Sequence, residues 1–219
     1  VVKEEEHTAD AARPDFVKKI VDPINALKGD LLPVSAFNGR EDGTWDNGTA
    51  AYEKRGIAVN VPEWKIGNCI QCNQCAYVCP HAVIRPFLAT EEEAAASGVE
   101  WKQGLGETKE YKFRIQISPM DCTGCSNCVD VCPAKDKALV MRPLEEQMPQ
   151  QKNWDYITKN IGYKQVVDKT KSVKNLQFAQ PLFEFSGACA GCGETPYIKA
   201  ISQLFGDKMM VANATGCTS

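Results

Sequence analysis

Hydrophobic and polar residues alternate in two short stretches of the chain. In "YKFRIQI", residues 111–117, every second residue is apolar, which predicts a half-buried β-strand. In "IAVNVP", residues 57–62, the same alternation runs into Pro62. Because proline cannot donate a hydrogen bond to a central ladder, this second stretch predicts an edge strand.

Proline and glycine mark the expected helices near the amino terminus. In "RPDFVKKIVDPINALKG", Pro14 is a favourable first-turn residue, and Asp22 followed by Pro23 is a second cap and first-turn pair. Gly29 is a typical stop signal. The stretch therefore predicts two short helices, the second of which ends at Gly29.

Further helix signals lie downstream. Thr90 followed by Glu93 predicts a capping box. "PQQKNWDYITKNIG" predicts a helix ending at Gly162, and "TPYIKAISQLFG" predicts a helix over residues 195–206. "KMMVANA", residues 208–214, then predicts a short buried strand.

Composition narrows the possible classes of protein. The chain has 219 residues, eleven cysteines and a formal charge of −3, which argues against a nucleic-acid partner. No apolar run approaches the roughly 18 residues of a membrane span, so we expect no membrane association and a cytoplasmic location. A secreted disulfide scaffold would be shorter and would lack repeated CxxC steps, so the thiols are expected to bind metal. The start "VVKEEEH" lacks Met and suggests a boundary inside a longer polypeptide.

Eight cysteines form an internal repeat. "CIQCNQCAYVCP" at 69–80 and "CTGCSNCVDVCP" at 122–133 align without gaps. CxxCxxCxxxCP is the bacterial ferredoxin pattern, in which the fourth cysteine ligates the other of two [4Fe–4S] clusters. The predicted ligand sets are Cys69, Cys72, Cys75 and Cys132 for one cluster, and Cys122, Cys125, Cys128 and Cys79 for the other.

Zinc is the alternative metal, since CxxC pairs also bind zinc. A zinc site closes with four ligands and has no use for the whole series repeated twice, which favours the iron–sulfur interpretation. His81 follows the first motif and is expected to be a solvated loop side chain, with a hydrogen bond near a cluster that tunes its potential as the lesser alternative. Lysines 164, 169, 171 and 174 are expected to form a solvated face, with docking of an acidic carrier protein as the lesser alternative.

A third group of cysteines is incomplete. Cys189 and Cys192 form a CxxC pair in "FSGACAGCGETPY", and Cys217 follows near the end of the sequence. A cubane cluster requires four thiolates. Three cysteines therefore leave one ligand unaccounted for.

The order of these motifs resembles the pyruvate:ferredoxin (flavodoxin) oxidoreductase family over nearly the whole chain. The resemblance rests on "VSAFNGREDGTWDNGTAAYEKRGIA", the two ferredoxin motifs, "FEFSGACAGCGETPYIKAISQLFG" and "NATGCTS". Glu53, Lys54 and Arg55 match the family's Glu-Lys-Arg module. The resemblance implies a third [4Fe–4S] cluster on Cys189, Cys192 and Cys217, with its fourth ligand beyond Ser219.

The resemblance also implies thiamine diphosphate beside Glu194, with Cys217 close to it. The chain lacks the magnesium-binding "GDG" of thiamine enzymes, so Mg²⁺ and the diphosphate are expected elsewhere in a longer protein. The implied reaction is oxidative decarboxylation of pyruvate with coenzyme A to acetyl-CoA and CO2, with ferredoxin or flavodoxin as electron acceptor. The parent protein is expected to be a homo-oligomer, and this segment alone is not expected to turn over or to carry catalytic side chains.

Two other classes of protein compete with this interpretation. A stand-alone polyferredoxin-like subunit would explain residues 61–142 but not "GACAGCGETPY". A zinc-stapled interaction protein would contain no iron.

The predicted fold is α+β, with a ferredoxin-like two-[4Fe–4S] domain that contains an insertion. The expected divisions are a small α+β module at 1–61, the two-cluster domain at 62–142, a linker at 143–180 and the start of an α/β thiamine-binding domain at 181–219.

Overall fold

A computed structural model describes residues 13–214 and Gly216. The chain divides into two compact units, Val1–Lys54 and Arg55–Ser219. Helices and antiparallel strands occur together, so the α+β class is confirmed.

The first unit contains one continuous helical segment where two helices were predicted. A π-helical turn, Val17–Val21, runs directly into helix α1 (Asp22–Asn25). The backbone N–H of Asp22 donates to the carbonyl of Val17, five residues back. Pro23 has no N–H and its ring disfavours a carbonyl four residues back, so a widened turn before it lets the helix continue.

The end of this helix also differs from the prediction. The helix ends at Asn25, and Leu27 adopts a left-handed backbone with φ 57°. Leu27 is 95% exposed, so it does not contribute to the hydrophobic core. Gly29 begins a 3₁₀ turn (Gly29–Leu31) rather than ending a helix.

Aromatic and cationic side chains organise the first unit. The rings of Phe16 and Trp45 pack edge to face with centroids 4.8 Å apart, and the Arg40 guanidinium lies 3.9 Å from the Phe16 centroid. Further 3₁₀ turns cover Val34–Phe37 and Thr49–Tyr52. Within residues 13–54 there is no strand, and the strand predicted at 57–61 lies in the second unit.

A two-stranded antiparallel sheet brackets the cysteine repeats in the second unit. It pairs β1 (Asn60–Trp64) with β5 (Leu139–Pro143) in the register Asn60↔Pro143 and Trp64↔Leu139. The strand begins later than predicted, because Ile57 and Val59 are 65% and 82% exposed. Pro62 lies inside β1, which a two-stranded sheet tolerates since both strands are edges.

A three-stranded antiparallel sheet lies between the two cysteine motifs. Its strands are β2 (Ile84–Ala89), β3 (Lys102–Gln103) and β4 (Lys112–Ile117), in the spatial order β2-β4-β3. Helix α3 (Glu91–Ala96) connects β2 to β3, and the predicted capping box between Thr90 and Glu93 is confirmed. Short helices complete the unit: α2 (Gln74–Val78), α4 (Asn127–Asp130), α5 (Leu144–Gln147), α6 (Pro149–Asn160), α7 (Val173–Leu176) and α8 (Thr195–Phe205). The 3₁₀ turns of this unit are Ile66–Asn68, Gly106–Thr108 and Pro119–Asp121.

Strand β4 is buried on both faces, so the prediction of a half-buried strand was wrong. Its apolar face joins a core that also contains Cys79, Cys122 and Cys128. On the other face, Arg114 donates to Gln150 of α6 and Gln116 donates to the same side chain. Helix α6 therefore covers the polar face with hydrogen-bond partners, a long-range contact that alternation within one strand does not encode.

Residues 143–180 are packed, which differs from the linker expected from their lysine content. Trp154 and Ile157 of α6 are buried, and Ile157 contacts a second core around Phe87 of β2. Two of the lysines also make specific contacts: Lys164 lies 2.8 Å from Glu93 Oε1, and Lys169 donates to the carbonyl of Gln203. These lysines do not form the purely solvated face that was expected.

The predicted helix α8 is confirmed, with Pro196 in its first turn and Gly206 at its end. The strand predicted at 208–214 is wrong: these residues have no regular structure, and Met210 and Val211 are 98% and 74% exposed. No helix in the described part of the chain is both long and apolar enough to cross a membrane.

The packing of residues 143–180 predicts a stability effect at Ile157. Ile157→Ala removes a fully buried side chain, so we expect the free energy of unfolding to fall by about 2–5 kcal/mol. A shift of the urea unfolding midpoint, measured anaerobically, tests this. Lys159→Ala on the exposed side of the same helix is the control, with an expected change within about 0.5 kcal/mol. Equal effects of the two substitutions would show that α6 does not contribute to the core.

Candidate iron–sulfur centres

The two repeats create two cysteine-lined cavities. Cavity A is lined by Cys79, Cys122, Cys125 and Cys128. Cavity B is lined by Cys69, Cys72, Cys75 and Cys132. In each cavity three cysteines come from one repeat and the fourth comes from the other, which is the arrangement that the predicted ligand sets require.

Left-handed backbone positions shape the two cysteine loops alike. The residue before the second cysteine of each motif has positive φ: Gln71 at 59° and Gly124 at 71°. The residue after that cysteine does too: Asn73 at 59° and Ser126 at 67°. Non-glycine residues rarely adopt this conformation, so surrounding contacts must hold it in place.

Those contacts differ between the two loops. A Cβ at Gly124 would lie 3.0 Å from the carbonyl oxygen of Asn60, so the close approach of the chain favours glycine there. In the first loop Gln71 is buried, and its amide donates to the carbonyl of Gln103 at 2.7 Å and accepts from the Leu105 N–H. The chain between the two motifs therefore supports the first loop through a side chain.

The cavities electrostatically disfavour bare thiolates. Burial raises the pKa of Cys122 to about 12, and the neighbouring Cys79 and Cys125 thiols add to the effect. Burial and the same Cys79 thiol also raise the pKa of Cys128. In cavity B, burial is the largest cause that raises the pKa of Cys75, and the neighbouring Cys69 and Cys72 thiols raise it further. These thiols ionise readily only when a positively charged group binds among them.

Backbone N–H groups already point at cysteine sulfurs. Val83 N lies 3.4 Å from Cys79 Sγ, and Gly124 N lies 3.4 Å from Cys122 Sγ in cavity A. In cavity B, Ala138 N lies 3.3 Å from Cys132 Sγ. Hydrogen bonds of this kind to cluster sulfurs are one of the means by which proteins set cluster potentials.

The donor set fits a four-thiolate cluster in each cavity. The ten cysteines that the structure describes are all free of disulfides. The indole N–H of Trp64, a residue that lines cavity B, is buried and has no hydrogen-bond partner in the protein. A bound cluster has sulfides that accept such a donor. Within residues 13–214, no group of three or more His, Cys, Asp or Glu side chains is placed to hold a single metal ion.

The third cysteine group lies at the start of α8. The N–H of Cys192 donates to the carbonyl of Cys189, which closes a turn, and Cys189 is exposed. The backbone N–H groups of Thr195 and Glu194 lower the pKa of Cys192, as expected beside a helix start. Glu194 is the exposed residue preceding the helix. Cys217 lies outside the described residues.

This third group lies next to cavity A. A Cβ at Gly191, between Cys189 and Cys192, would be 3.6 Å from the Cβ of Cys125. His81, which lines cavity A, lies with its Nε2 2.7 Å from the carbonyl oxygen of Ala188. A carbonyl only accepts, so Nε2 carries the hydrogen. His81 is 4% exposed, and the expectation of a solvated side chain was wrong.

Other side chains at the site gave no local signal in the sequence. Arg85 of β2 is buried beside Glu184, which it contacts through a short ion pair, and it also contacts Tyr163. Lys199 of α8 is buried against helix α2. Apolar spacing around Lys199 predicts a helix, whereas the sequence around Arg85 gave no such pattern. Only long-range packing shows what these two side chains face.

Two family models match the chain. Residues 3–58 match a domain of unknown function called EKR, and residues 68–135 match a 4Fe-4S dicluster domain. The two-cluster character predicted for the cysteine repeat is therefore confirmed at the level of the domain.

Curated relatives extend the match along the chain. It is 55% identical over 208 residues to a pyruvate-flavodoxin oxidoreductase of Enterobacter agglomerans, covering 94% of this chain and 18% of the relative. It is 56% identical over 210 residues to a pyruvate:ferredoxin oxidoreductase of Moorella thermoacetica, again covering 94% and 18%. A pyruvate dehydrogenase [NADP(+)] of Cryptosporidium parvum is 50% identical over 209 residues, 93% of this chain and 10% of the relative. The chain thus spans about a fifth of the length of the first two relatives, and the predicted family resemblance is confirmed.

The cavities generate a prediction for Cys79, which belongs to the first motif but lines cavity A. Cys79→Ser is expected to alter the electron paramagnetic resonance signal of the cluster whose other ligands are Cys122, Cys125 and Cys128. Cys72→Ser is the matched control, since it is expected to alter the other signal. The crossed assignment fails if both substitutions perturb the same cluster.

Proposed function

We propose that this chain, a relative of pyruvate-flavodoxin and pyruvate:ferredoxin oxidoreductases along 94% of its length, is the electron-transfer segment of such an enzyme. The enzyme would oxidatively decarboxylate pyruvate with coenzyme A to acetyl-CoA and CO2. The observation that carries the proposal is the pair of cavities A and B, each with four cysteines drawn from both repeats.

Each cavity would hold one [4Fe–4S] cluster on its four cysteines. Such clusters supply one-electron transfer at potentials that the protein tunes through charge, burial and hydrogen bonds. The chain's own part is to hold eight thiolates in two adjacent sets. Helix α2 carries Cys75 of cavity B and α4 carries Cys128 of cavity A, and these two helices pack together. The Cys75 thiol also raises the pKa of Cys128, which supports a short distance between the sets.

Cys189, Cys192 and Cys217 would hold a third cluster together with a ligand outside this sequence. The close approach of the chain at Gly191 to Cys125 supports a path from this third site to cavity A and then to cavity B. The helix-start N–H groups that lower the pKa of Cys192 suit an anionic cluster. Glu194 and Cys217 would lie beside thiamine diphosphate.

Cavity B is the proposed exit for electrons. All four of its cysteines are half-buried, whereas Cys79, Cys122 and Cys128 of cavity A are buried. An open depression lined by Lys65, Lys135 and Lys137 lies on the same side, since it includes Asn68, directly before Cys69, and begins again three residues after Cys132. A ferredoxin or flavodoxin would accept the electrons there.

The carbon chemistry would take place elsewhere in the enzyme. Thiamine diphosphate with Mg²⁺ supplies decarboxylation when bound, and its motif for magnesium is absent from this sequence. Of the expected divisions, we still propose the two-cluster domain at 62–142 and the beginning of a thiamine-binding domain at 181–219, whereas the expected end of the first module at residue 61 lies beyond the division between Lys54 and Arg55. The parent protein would form a homo-oligomer in the cytoplasm.

A stand-alone polyferredoxin-like subunit is the alternative, and it is less well supported. It accounts for cavities A and B alone. The relatives match residues on both sides of the repeats, including Cys189 and Cys192, and they are named as enzymes of pyruvate.

The third site generates a test in the intact polypeptide that carries this sequence, purified anaerobically. We expect about twelve irons for three clusters. Cys192→Ser and Cys217→Ala are both expected to abolish reduction of the clusters in A and B by pyruvate and coenzyme A. Neither substitution should prevent reduction of the same clusters by dithionite, because their eight ligands are elsewhere. An iron content of eight in the unmodified protein would contradict the third site.

A further inference from the structure

A lysine from outside the cysteine repeats is buried between the two cavities. Lys199 lies on α8 and is 3% exposed. Its ammonium group donates to two backbone carbonyls of α2, those of Ala76 and Tyr77, the second at 3.1 Å. Residues 76 and 77 directly follow Cys75 of cavity B and precede Cys79 of cavity A. The lysine therefore contacts α2, the helix of the first repeat that lies between a cysteine of cavity B and a cysteine of cavity A.

Pro80 explains why a carbonyl is available at this position. In an α-helix the carbonyl of residue 76 would accept from the N–H of residue 80. Proline has no N–H, so Cys79-Pro80 ends α2 and leaves the Ala76 carbonyl without that donor. A buried carbonyl needs a partner, and Lys199 provides it. Pro80, which follows the fourth cysteine of the first repeat, thus leaves a carbonyl for a side-chain donor.

The surroundings give the lysine charge an electrostatic role. Burial lowers the pKa of Lys199 to about 8, while the Cys79 thiol opposes that shift and the Arg85 guanidinium adds to it. Cys75 acts in the same direction as Cys79. The ammonium group is thus close enough to interact with one cysteine of each cavity. Little solvent is available to screen this interaction.

The second repeat offers an internal comparison. Its helix α4 also ends at a Cys-Pro pair, and Lys137 donates to the carbonyl of Asp130, the counterpart of Tyr77. Lys137 is exposed, and it comes from the loop just after its own repeat. Both helices therefore have a lysine at their carboxyl end, but only the one at α2 is buried. A screened charge influences its surroundings much less than a buried one.

We propose that Lys199 is a positioning residue that raises the reduction potentials of both clusters by placing a buried positive charge at the end of α2. This inference rests on the proposed function, since it requires clusters in cavities A and B. Reduction adds one negative charge to a cluster, and a nearby cation lowers the free energy of the reduced state. Helix α8 belongs to the segment that begins at the third cysteine group. The Lys199 ammonium group therefore lies in the two-cluster domain only when that segment packs against α2.

The test is a redox titration of the intact polypeptide, followed by electron paramagnetic resonance. Lys199→Met removes the donor and the charge, and Lys199→Gln removes the charge but keeps an N–H donor. In both variants we expect the reduction equilibrium constant of each of the two clusters to fall about tenfold or more, which is about 59 mV toward negative potential for a one-electron couple. Lys199→Arg keeps the charge and is expected to retain potentials near those of the unmodified protein.

Two other lysines serve as controls. Lys169→Met removes an ammonium group that also donates to a backbone carbonyl, that of Gln203 on α8, and no change in either potential is expected. Lys137→Met is expected to shift the potentials less than Lys199→Met because Lys137 is exposed. A larger shift with Lys137→Met would overturn the proposal.

Iron analysis separates the remaining outcomes. If Lys199→Met and Lys199→Gln, the two neutral variants, keep their full iron content and show unchanged potentials, the role of the charge is overturned. Lowered potentials in Lys199→Met alone would assign the effect to hydrogen bonding and would equally overturn it. Loss of iron from both neutral variants would make Lys199 an assembly residue instead. Absence of cluster signals from the unmodified protein would instead contradict the proposed function itself.

Discussion

Each cysteine cavity is complete only when the last cysteine of one repeat reaches the other repeat. Cys79 reaches cavity A across α2, and Cys132 reaches cavity B across α4. Neither loop can therefore form its site alone, and the two helices must pack against each other. The left-handed turns at Gln71 and Gly124 give both loops the same path. The first loop is held by hydrogen bonds of the Gln71 side chain, and the second packs closely because Gly124 has no side chain. The sheets, the cores and the third cysteine group are arranged around these two cavities, each of which takes its fourth cysteine from the other repeat.

Two buried cations connect the segment after residue 180 to the two-cluster domain. Arg85 projects from β2 and contacts Glu184, while its guanidinium lies 4.7 Å from the Trp154 ring centroid. Burial would lower the pKa of Arg85, but Tyr163 and Glu184 outweigh it and the pKa is raised. Lys199 makes the reciprocal contact, from α8 into α2. Breaking one partner of a buried pair leaves an uncompensated charge, so such contacts favour one docked arrangement of the segment.

Local chemistry in the sequence was enough to predict the cysteine sets, the capping box at Thr90 and the helix that ends at Gly206. The capping box and the helix depend on residues a few positions apart, and the cysteine sets follow from a repeated motif whose fourth cysteine serves the other repeat. Some of the wrong predictions failed because the deciding contacts come from distant parts of the chain, and others because the local backbone departs from a regular helix or strand. Strand β4 has polar residues on one face because α6 supplies their partners, and Pro23 is tolerated because the preceding turn is widened. The strand predicted at 208–214 was inferred from apolar content alone, and the side chains of Met210 and Val211 are exposed in the structure.

Pairing of β1 with β5 places the two ends of the cysteine-bearing region side by side. Asn60 and Pro143 are register partners, so the chain enters and leaves at neighbouring points. A region with adjacent ends can be inserted into another polypeptide without separating the flanking segments. Gene fusion could therefore add or remove such a unit while the host fold stays intact.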